Sequence, residues 1–552
     1  MKLPRSILAP GAVLLVAVLT GGWFLQQGVR QEDNVFVQLR LLEEVVDHVA
    51  DQYVDEVERD ELFQSAIDGV INGLEDPNTS FLEASAYDNL RIRTEGEYGG
   101  VGLEVVERDD WVTVVRALPG GPATRAGIRA GDRIVRVEDR STEGWSVDEV
   151  VDLLRGEAGS EVRLRVRRPG IEDPISFDVT RERIQIRSVP FTTVLNDGIG
   201  YVPLQVMSES STQEVRAAVD SMAAAGARAL VLDLRNNPGG LLDQGVAVSD
   251  LFLPAGADVV ETRGRAAGQD QTFSADDPEA YEGLPVVILV DGQSASASEI
   301  VAGALQDHDR ALLVGTPSFG KGSVQTLYRL TGGNVLKLTT ARWYTPVGRS
   351  IEKDRSGSLE DDLMSGALTL DGSFIPRPDT AGRPTYRTDA GRTVYGGGGI
   401  TPDVILLPDT LGRTEQSAVR ALFETGGIFF TQTFDFAVDY IQERPDLERD
   451  FSLGQEELDT FYDRLREAGA EVEREDYADA SRFVRYELER EIANQKWGRP
   501  GEFRHVMEFD RQLQHALQLL EGVTTQEDLF RAGGIVFPEV DPEQASTPAD
   551  EE

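Results

Sequence analysis

Residues 286–305 read Val-Val-Ile-Leu-Val-Asp-Gly-Gln-Ser-Ala-Ser-Ala-Ser-Glu-Ile-Val-Ala-Gly-Ala-Leu, and this stretch decides the fold. The apolar run 286–290 has the length and composition of a strand buried on both faces. A polar loop follows, then a helical run from Ala297. The pattern recurs along the chain. Residues 229–234 predict a strand and 241–252 a helix, and 311–314 predict a further strand. Strands alternating with helices argue for parallel βα units. Such a sheet gathers the loops after its strands at one carboxyl edge, where open α/β folds keep their sites.

Three loops would meet at that edge. One carries Ser296 in Gly-Gln-Ser-Ala-Ser-Ala-Ser-Glu (292–299), and a second carries Lys321 in Gly-Thr-Pro-Ser-Phe-Gly-Lys-Gly-Ser (315–323). The third is Asn-Asn-Pro-Gly-Gly (236–240). A serine hydroxyl is a poor nucleophile until a base takes its proton. Lysine can be that base once burial strips its charge. Moving a lysine pKa from about 10.4 to about 7 disfavours the charged form by roughly 4.6 kcal/mol, which burial alone can supply. Phe319 and Gly320 beside Lys321 suit such a pocket. Gln325 could hold the amine, and the amides of Ala297 and of Gly239 or Gly240 could bind an oxyanion.

Each piece has a plainer reading. Ser296 suits a helix N-cap, with Ser294 and Ser298 competing for any chemical role; Lys321 suits a solvated loop; 236–240 suits a turn. Their convergence on one sheet edge favours chemistry. Gly315 to Lys321 also fits the start of a phosphate-binding loop, Gly-x-x-x-x-Gly-Lys. There, however, Gly322 stands where a Ser or Thr must hold magnesium, and Pro317 removes a backbone donor. The histidines are His48, His308, His505 and His515. His308 alone falls in the α/β segment. It lies at the far end of the helix that Ser296 begins, roughly 18 Å away by helical rise, and a surface position is expected for it. No His-Glu-x-x-His pattern occurs, and no metal or other cofactor is expected.

The 552-residue chain has 96 acidic against 54 basic residues, a formal net charge of −42. That field disfavours nucleic acid and anionic membrane surfaces as partners. There is no cysteine, so thiol catalysis, disulfides and Cys-ligated metals are excluded. Lys2 and Arg5 precede an apolar stretch from Ile7 to Leu25, which reads as an export signal or an uncleaved membrane anchor. Basic residues before the span place the rest outside the cytoplasmic membrane, periplasmic or otherwise extracytoplasmic.

Composition divides the chain further. Residues 1–30 form the signal or anchor, and 33–94 a helical segment with Val37, Leu41, Leu42, Val45, Val46 and Val49 on one stripe. Residues 96–182 are β-rich with a helix at 147–154, and 186–408 hold the α/β alternation, with long loops or hairpins over 352–400. Residues 409–540 turn helical and acidic, and 541–552 form an acidic tail expected to be disordered.

Six stretches in order carry a family resemblance: Gly99-Gly100-Val101-Gly102-Leu103; Pro122-Ala123 with Ala126-Gly127-Ile128 and Gly131-Asp132; 233–240; Ser294 to Glu299; Phe319 to Gln325; and Gly397 to Asp403. From about residue 37 to 408 the chain resembles the carboxyl-terminal processing (tail-specific) proteases. The resemblance implies an α/β multidomain chain: a crotonase-like ββα protease core, an inserted PDZ domain at 96–182, a helical N-terminal segment and a helical C-terminal extension. The family's Ser-Lys-Gln constellation falls on Ser296, Lys321 and Gln325, with Ser296 attacking, Lys321 moving the proton and Gln325 orienting Lys321.

PDZ domains capture peptide carboxyl ends by strand addition. By resemblance the Gly100-Val101-Gly102-Leu103 loop would bind the terminal carboxylate, and Arg167 or Arg168 could couple peptide binding to activation. Asn78 stands where the family often has His. The region after 408 lies outside the pattern and could serve oligomerisation, gating or adaptor contact. The expected function is an exported serine endopeptidase acting on polypeptides with accessible C-termini and anchored to the membrane through residues 1–30. A homo-oligomer is a further expectation. The alternatives are a non-catalytic PDZ scaffold and a nucleotide-binding protein.

Overall fold

The computed structural model describes residues 35–108, 110–168, 171–353, 367–375, 382–425, 427–535 and 537. The expected signal or anchor and the acidic tail lie outside the described residues. No described helix is long and apolar enough to cross a membrane. The described residues form two compact units, 35–83 with 327–339, and 84–326 with 340–537.

In the first unit, helices Val35–Gln52 and Arg59–Asn72 lead to a short strand, Ser80–Leu82, which pairs antiparallel with residues 335–337. Asp76 closes the turn before it, accepting from the Asn78 amide at 3.0 Å and from Thr79 Oγ1 at 2.5 Å. The apolar stripe of the first helix is not a core face in the single chain. Val37, Leu41 and Val45 are at least half exposed, and Val46 alone of that helix is buried.

In the second unit the α/β alternation becomes a six-stranded sheet. Its order is Thr193–Leu195, Ile199–Pro203, Ala229–Asp233, Val286–Val290, Leu312–Gly315 and Val404–Ile405. Every pairing is parallel except the first. Successive side chains of a strand point to opposite faces, and both faces here are apolar. Val202, Leu230, Leu232, Val286, Ile288, Val290 and Leu313 pack on one side with residues from helices Ser211–Ala224, Leu242–Asp250 and Ala297–Asp307. Ile199, Tyr201, Val231, Val287, Leu289, Leu312 and Val314 face the other side.

That second face is covered by residues far along the chain. Leu513, Ala516, Leu519 and Leu520 of helix Arg511–Leu520 seal it, with Leu529 and Phe530 of helix Gln526–Ala532. Burying each large apolar side chain contributes about 1.5–3 kcal/mol. The helical region after 409 therefore has two parts. Helices between Arg413 and Trp497 build their own core around Phe429, Phe436, Phe461 and Phe483, and the last two described helices complete the sheet.

The segment from Glu97 to Gln185 is mainly β and has an apolar cluster of its own around Val112, Ile134 and Leu164. Its sheet runs Leu103–Arg108, Trp111–Ala117, Arg133–Val137, Glu161–Arg167, Ile175–Thr180, with Leu103–Arg108 at an edge. Val162, Leu164 and Val166 alternate inward from exposed charged neighbours, the pattern of a half-buried strand. Helix Val147–Leu154 starts at Ser146, whose amide donates to Glu149 Oε2 at 2.9 Å. The insertion has a two-stranded neck, Glu97–Gly100 paired antiparallel with Glu182–Gln185. Its chain ends therefore leave together, as insertion into another domain requires. The 352–400 stretch contains the expected hairpin, Thr385–Arg387 with Thr393–Tyr395.

Candidate active site

Ser296 sits where strand Val286–Val290 turns into helix Ala297–Asp307. Its backbone is at φ 54° and ψ −117°, a conformation costly for any residue with a Cβ. Such strain persists only when the surroundings impose it, and here they do. The Asp291 carboxylate accepts from the amides of Asn236, Gln293 and Ser294. Ser294 Oγ donates to the Leu234 carbonyl at 2.8 Å, the Ala295 amide to the Asn237 carbonyl at 3.0 Å, and Ser298 Oγ to the same carbonyl at 3.0 Å. Ser294 and Ser298 are thus buried and used as struts. Ser296 is the half-buried serine of the three, and its hydroxyl makes no capping bond. The Glu299 amide goes instead to the Ser296 carbonyl at 2.9 Å.

Glu299 joins the two loops. Its side chain is fully buried. Oε2 accepts from the Ser296 amide at 2.8 Å and from the Lys321 amide at 3.0 Å. Oε1 accepts from the Gly320 amide at 2.7 Å and from Ser318 Oγ. One oxygen therefore fixes the backbones of both residues within the sum of two hydrogen bonds. Burial pushes the Glu299 carboxyl up from its ordinary value, against the opposing pull of Ser318 and of the Lys321, Gly320 and Ser296 amides. The Phe319 amide, donating to the Ser294 carbonyl at 3.0 Å, adds a further cross-loop bond.

Lys321 is half-buried, and its carbonyl accepts from Trp343 Nε1 at 3.0 Å. Gln325 follows on strand Ser323–Arg329, its Nε2 donating to Ser323 Oγ at 2.9 Å. The loop amides leave no phosphate cradle. Thr316 donates to Val290, Ser318 to Ile400, Phe319 to Ser294, and Gly320 and Lys321 to Glu299. A strand rather than a helix comes next. The nucleotide-binding alternative therefore fails on geometry.

The Asn236–Gly240 loop lies against the turn. Gly239 has φ 86°, and a Cβ there would meet the Ala295 carbonyl at 2.5 Å and Ser296 Cβ at 2.9 Å. The Gly239 amide donates to Asn237 Oδ1 at 2.9 Å. Ala297 is buried and Gly240 exposed.

His308 ends the same helix, held by Asp389 Oδ2 and the Asp258 carbonyl, each at 2.7 Å. Its side chain is 16% exposed, so the expected open surface position is corrected: two acceptors draw the ring in. The ion pairs Arg349–Asp307 (2.6 Å) and Arg392–Asp403 (2.5 Å) gather at that end of the helix, remote from Ser296.

In the β unit, the Val101 carbonyl accepts from Ala123 and the Gly102 carbonyl from Leu118, each at 3.0 Å. These bonds set the Gly100–Leu103 loop at the start of the edge strand, the geometry that strand addition needs. Arg168 is spent within this unit, forking onto buried Asp132 at 2.7 Å, and Arg167 lies 6.0 Å from the Trp111 ring.

Sequence reasoning missed Glu299 as a functional residue. Glu three residues after Ser at a helix start is a capping signature, and that local signal hides the reach of the carboxylate to a loop much later in the chain.

Comparison with known proteins follows the same lines. The profile of peptidase family S41 matches residues 198–363, that of the PDZ domain residues 113–168, and that of the activating protease CtpB N-terminal domain residues 24–86. The chain is 39% identical over 325 residues to the carboxy-terminal-processing protease of Bartonella bacilliformis, covering 58% of this chain and 74% of that one. It is 32% identical over 349 residues to the carboxy-terminal processing protease CtpA of Bacillus subtilis, covering 63% and 73%. Among solved structures, the photosystem II D1 C-terminal processing protease is similar at 34% identity and TM-score 0.33, covering 55% of this chain and 82% of that one.

Proposed function

This chain belongs to the carboxy-terminal processing proteases, serine-type peptidases with a PDZ domain, and from that premise we propose that it cleaves exported polypeptides with a Ser296–Lys321 dyad. The family membership sets aside the non-catalytic scaffold. The observation that carries the residue assignment is the strained Ser296 backbone, tied through Glu299 to the amide of Lys321. Strain of this kind clusters at reacting residues.

In this reading Lys321, uncharged, takes the proton of Ser296 Oγ as the oxygen attacks the scissile carbonyl, and returns it to the leaving amine. Gln325 orients the lysine amine. The Ala297 amide stabilises the oxyanion together with a glycine amide from the 236–240 loop. Gly239 would have to release Asn237 Oδ1 to serve, and Gly240 is the alternative donor. The PDZ loop Gly100–Leu103 holds the substrate carboxylate while the upstream chain lies along strand Leu103–Arg108.

The test compares the full chain with Ser296→Ala and Lys321→Ala on an unfolded protein substrate. Both variants should lose turnover while keeping the wild-type melting curve, and undiminished cleavage by either overturns the assignment. Wild-type activity should rise with pH as the lysine deprotonates and hold at alkaline pH; a midpoint near that of a histidine speaks against it. Export and anchoring through residues 1–30 are part of the proposal, tested by fractionating cells that express the full chain. Self-association belongs to it as well. Val35, Phe36, Leu39 and Leu41 are exposed in the first helix, and sedimentation velocity of the full chain reads the result.

A further inference from the structure

The strand Ala229–Asp233 feeds the 236–240 loop through Arg235. This arginine is held by two carboxylates. The Arg235 amide and Nε donate to Asp233 Oδ1 at 3.0 and 2.9 Å, and Nη2 donates to Asp233 Oδ2 at 2.6 Å. The other side of the guanidinium forks onto Asp510, with Nη1 to Oδ1 at 3.0 Å and Nη2 to Oδ2 at 2.7 Å. Nη1 also donates to Gln512 Oε1 at 3.0 Å. Asp510 and Gln512 lie at the start of helix Arg511–Leu520, which covers the sheet. Tyr201 closes the cluster, its hydroxyl donating to Asp233 Oδ2 at 2.7 Å. Asp233 is 6% exposed and Tyr201 4%.

Past Arg235 the loop is braced at Asn236, Asn237 and Gly239. The Asn236 amide goes to Asp291, Asn237 Nδ2 to the Leu204 carbonyl at 2.7 Å, and the Asn237 carbonyl receives Ala295 and Ser298. Gly239 then touches the Ser296 turn. A planar guanidinium with two bidentate partners has no rotational freedom left. Its position, and that of the loop which begins at it, is set jointly by the sheet and by the last described helices.

We infer that Asp510, in the C-terminal extension, is a positioning residue for the Asn236–Gly240 loop and acts on it through Arg235. This rests on the reading of Ser296 as nucleophile, and it gives the extension a task at the active site that no local pattern in its sequence announces. Asp510 touches neither Ser296 nor Lys321. It fixes the loop that, in that reading, supplies a glycine amide to the developing oxyanion, so its loss acts on the transition state more than on substrate binding.

The side chain also caps its helix, Oδ1 accepting from the Leu513 amide at 3.0 Å. The informative variant is therefore Asp510→Asn, because Asn caps a helix as well as Asp does while turning a donor toward Arg235 Nη2. In the full chain, Asp510→Asn should keep its circular dichroism and the hydrogen-exchange protection of helix 511–520. Exchange at the amides of 236–240 should accelerate about tenfold or more, kcat should fall by about tenfold to a hundredfold, and KM should stay within about twofold.

Arg235→Lys keeps the charge but not the fork. The double variant should lose little beyond the worse single one, since both break one linkage. Unchanged exchange at 236–240 in a folded Asp510→Asn protein overturns the inference, as does a change confined to KM or a fully additive double variant. Faster exchange in a protein whose wild type cleaves nothing would retain the positioning role and sink the catalytic reading instead. Should Asp510→Asn not fold, Arg235→Lys carries the same exchange test.

Discussion

At the scale of single residues, the site is arranged by a buried carboxylate and a glycine. Glu299 has donors on both oxygens, so its ionised, acceptor-only form fits them all. Glu299→Gln replaces one acceptor by a donor facing N–H groups. It should lower stability by about 2–4 kcal/mol and turnover by more than about a hundredfold, measured by urea unfolding and peptide hydrolysis. A loss of stability with full turnover would show that the carboxylate only braces the fold. Gly239→Ala should be inactive and less stable, since a methyl group would meet the Ala295 carbonyl at 2.5 Å and the positive φ adds its own cost. Ser294 and Ser298 show why the sequence alone left three serines in competition. All three share one local pattern, and only packing buries two of them as struts.

At the scale of elements, helix Arg511–Leu520 does two things, sealing the sheet and gripping Arg235. Leu513→Ala should cost about 3 kcal/mol, since Leu513 is fully buried against the sheet. The Asp510 end titrates as well. Burial works to raise its carboxyl, but the Arg235 guanidinium and the Leu513 and Gln512 amides outweigh it and hold it below its ordinary value of 3.8. A depressed carboxyl contributes stability that is complete above the unfolded value and is lost as pH falls through the folded one. The stability gap between wild type and Asp510→Asn should therefore be constant from neutral pH down to about pH 5 and narrow below about pH 4, read by urea unfolding at each pH. A gap that widens on acidification would contradict the ion-pair account. The region after 408 read as helical, but neither this helix nor its partner was singled out in the sequence. An amphipathic stripe states that a face is buried and leaves open what buries it.

At the scale of the whole molecule, the fold joins segments that are distant in sequence. The profile of the peptidase family ends at residue 363, yet the sheet has an apolar face covered by residues 513–530. A chain ending at residue 498 should therefore aggregate or expose that face to dye, and supplying 499–537 in cis should restore a soluble protein. A soluble, active truncated chain would show the cover to be dispensable. The extension also reaches the PDZ domain. The Arg108 guanidinium, at the end of the edge strand, lies 3.9 Å from the Phe434 ring centroid and 3.7 Å from Asp435. Arg108→Ala should remove about 1–2 kcal/mol of that contact and quicken limited proteolysis at the 182–185 neck, with peptide affinity of the PDZ loop little changed.

By itself the sequence determined the central strands at 229–234, 286–290 and 311–314, the helices that follow the first two and the three loops, because the period of apolar residues and the placement of Gly and Pro are local properties that survive without the fold. It determined the family too, since six short patterns in order are individually weak and jointly specific. Tertiary structure alone decided which serine is strained, which carboxylate binds two loops together and which helices cover the second face of the sheet. Those are contacts between residues far apart along the chain, and a local pattern records that a group needs a partner without recording which one.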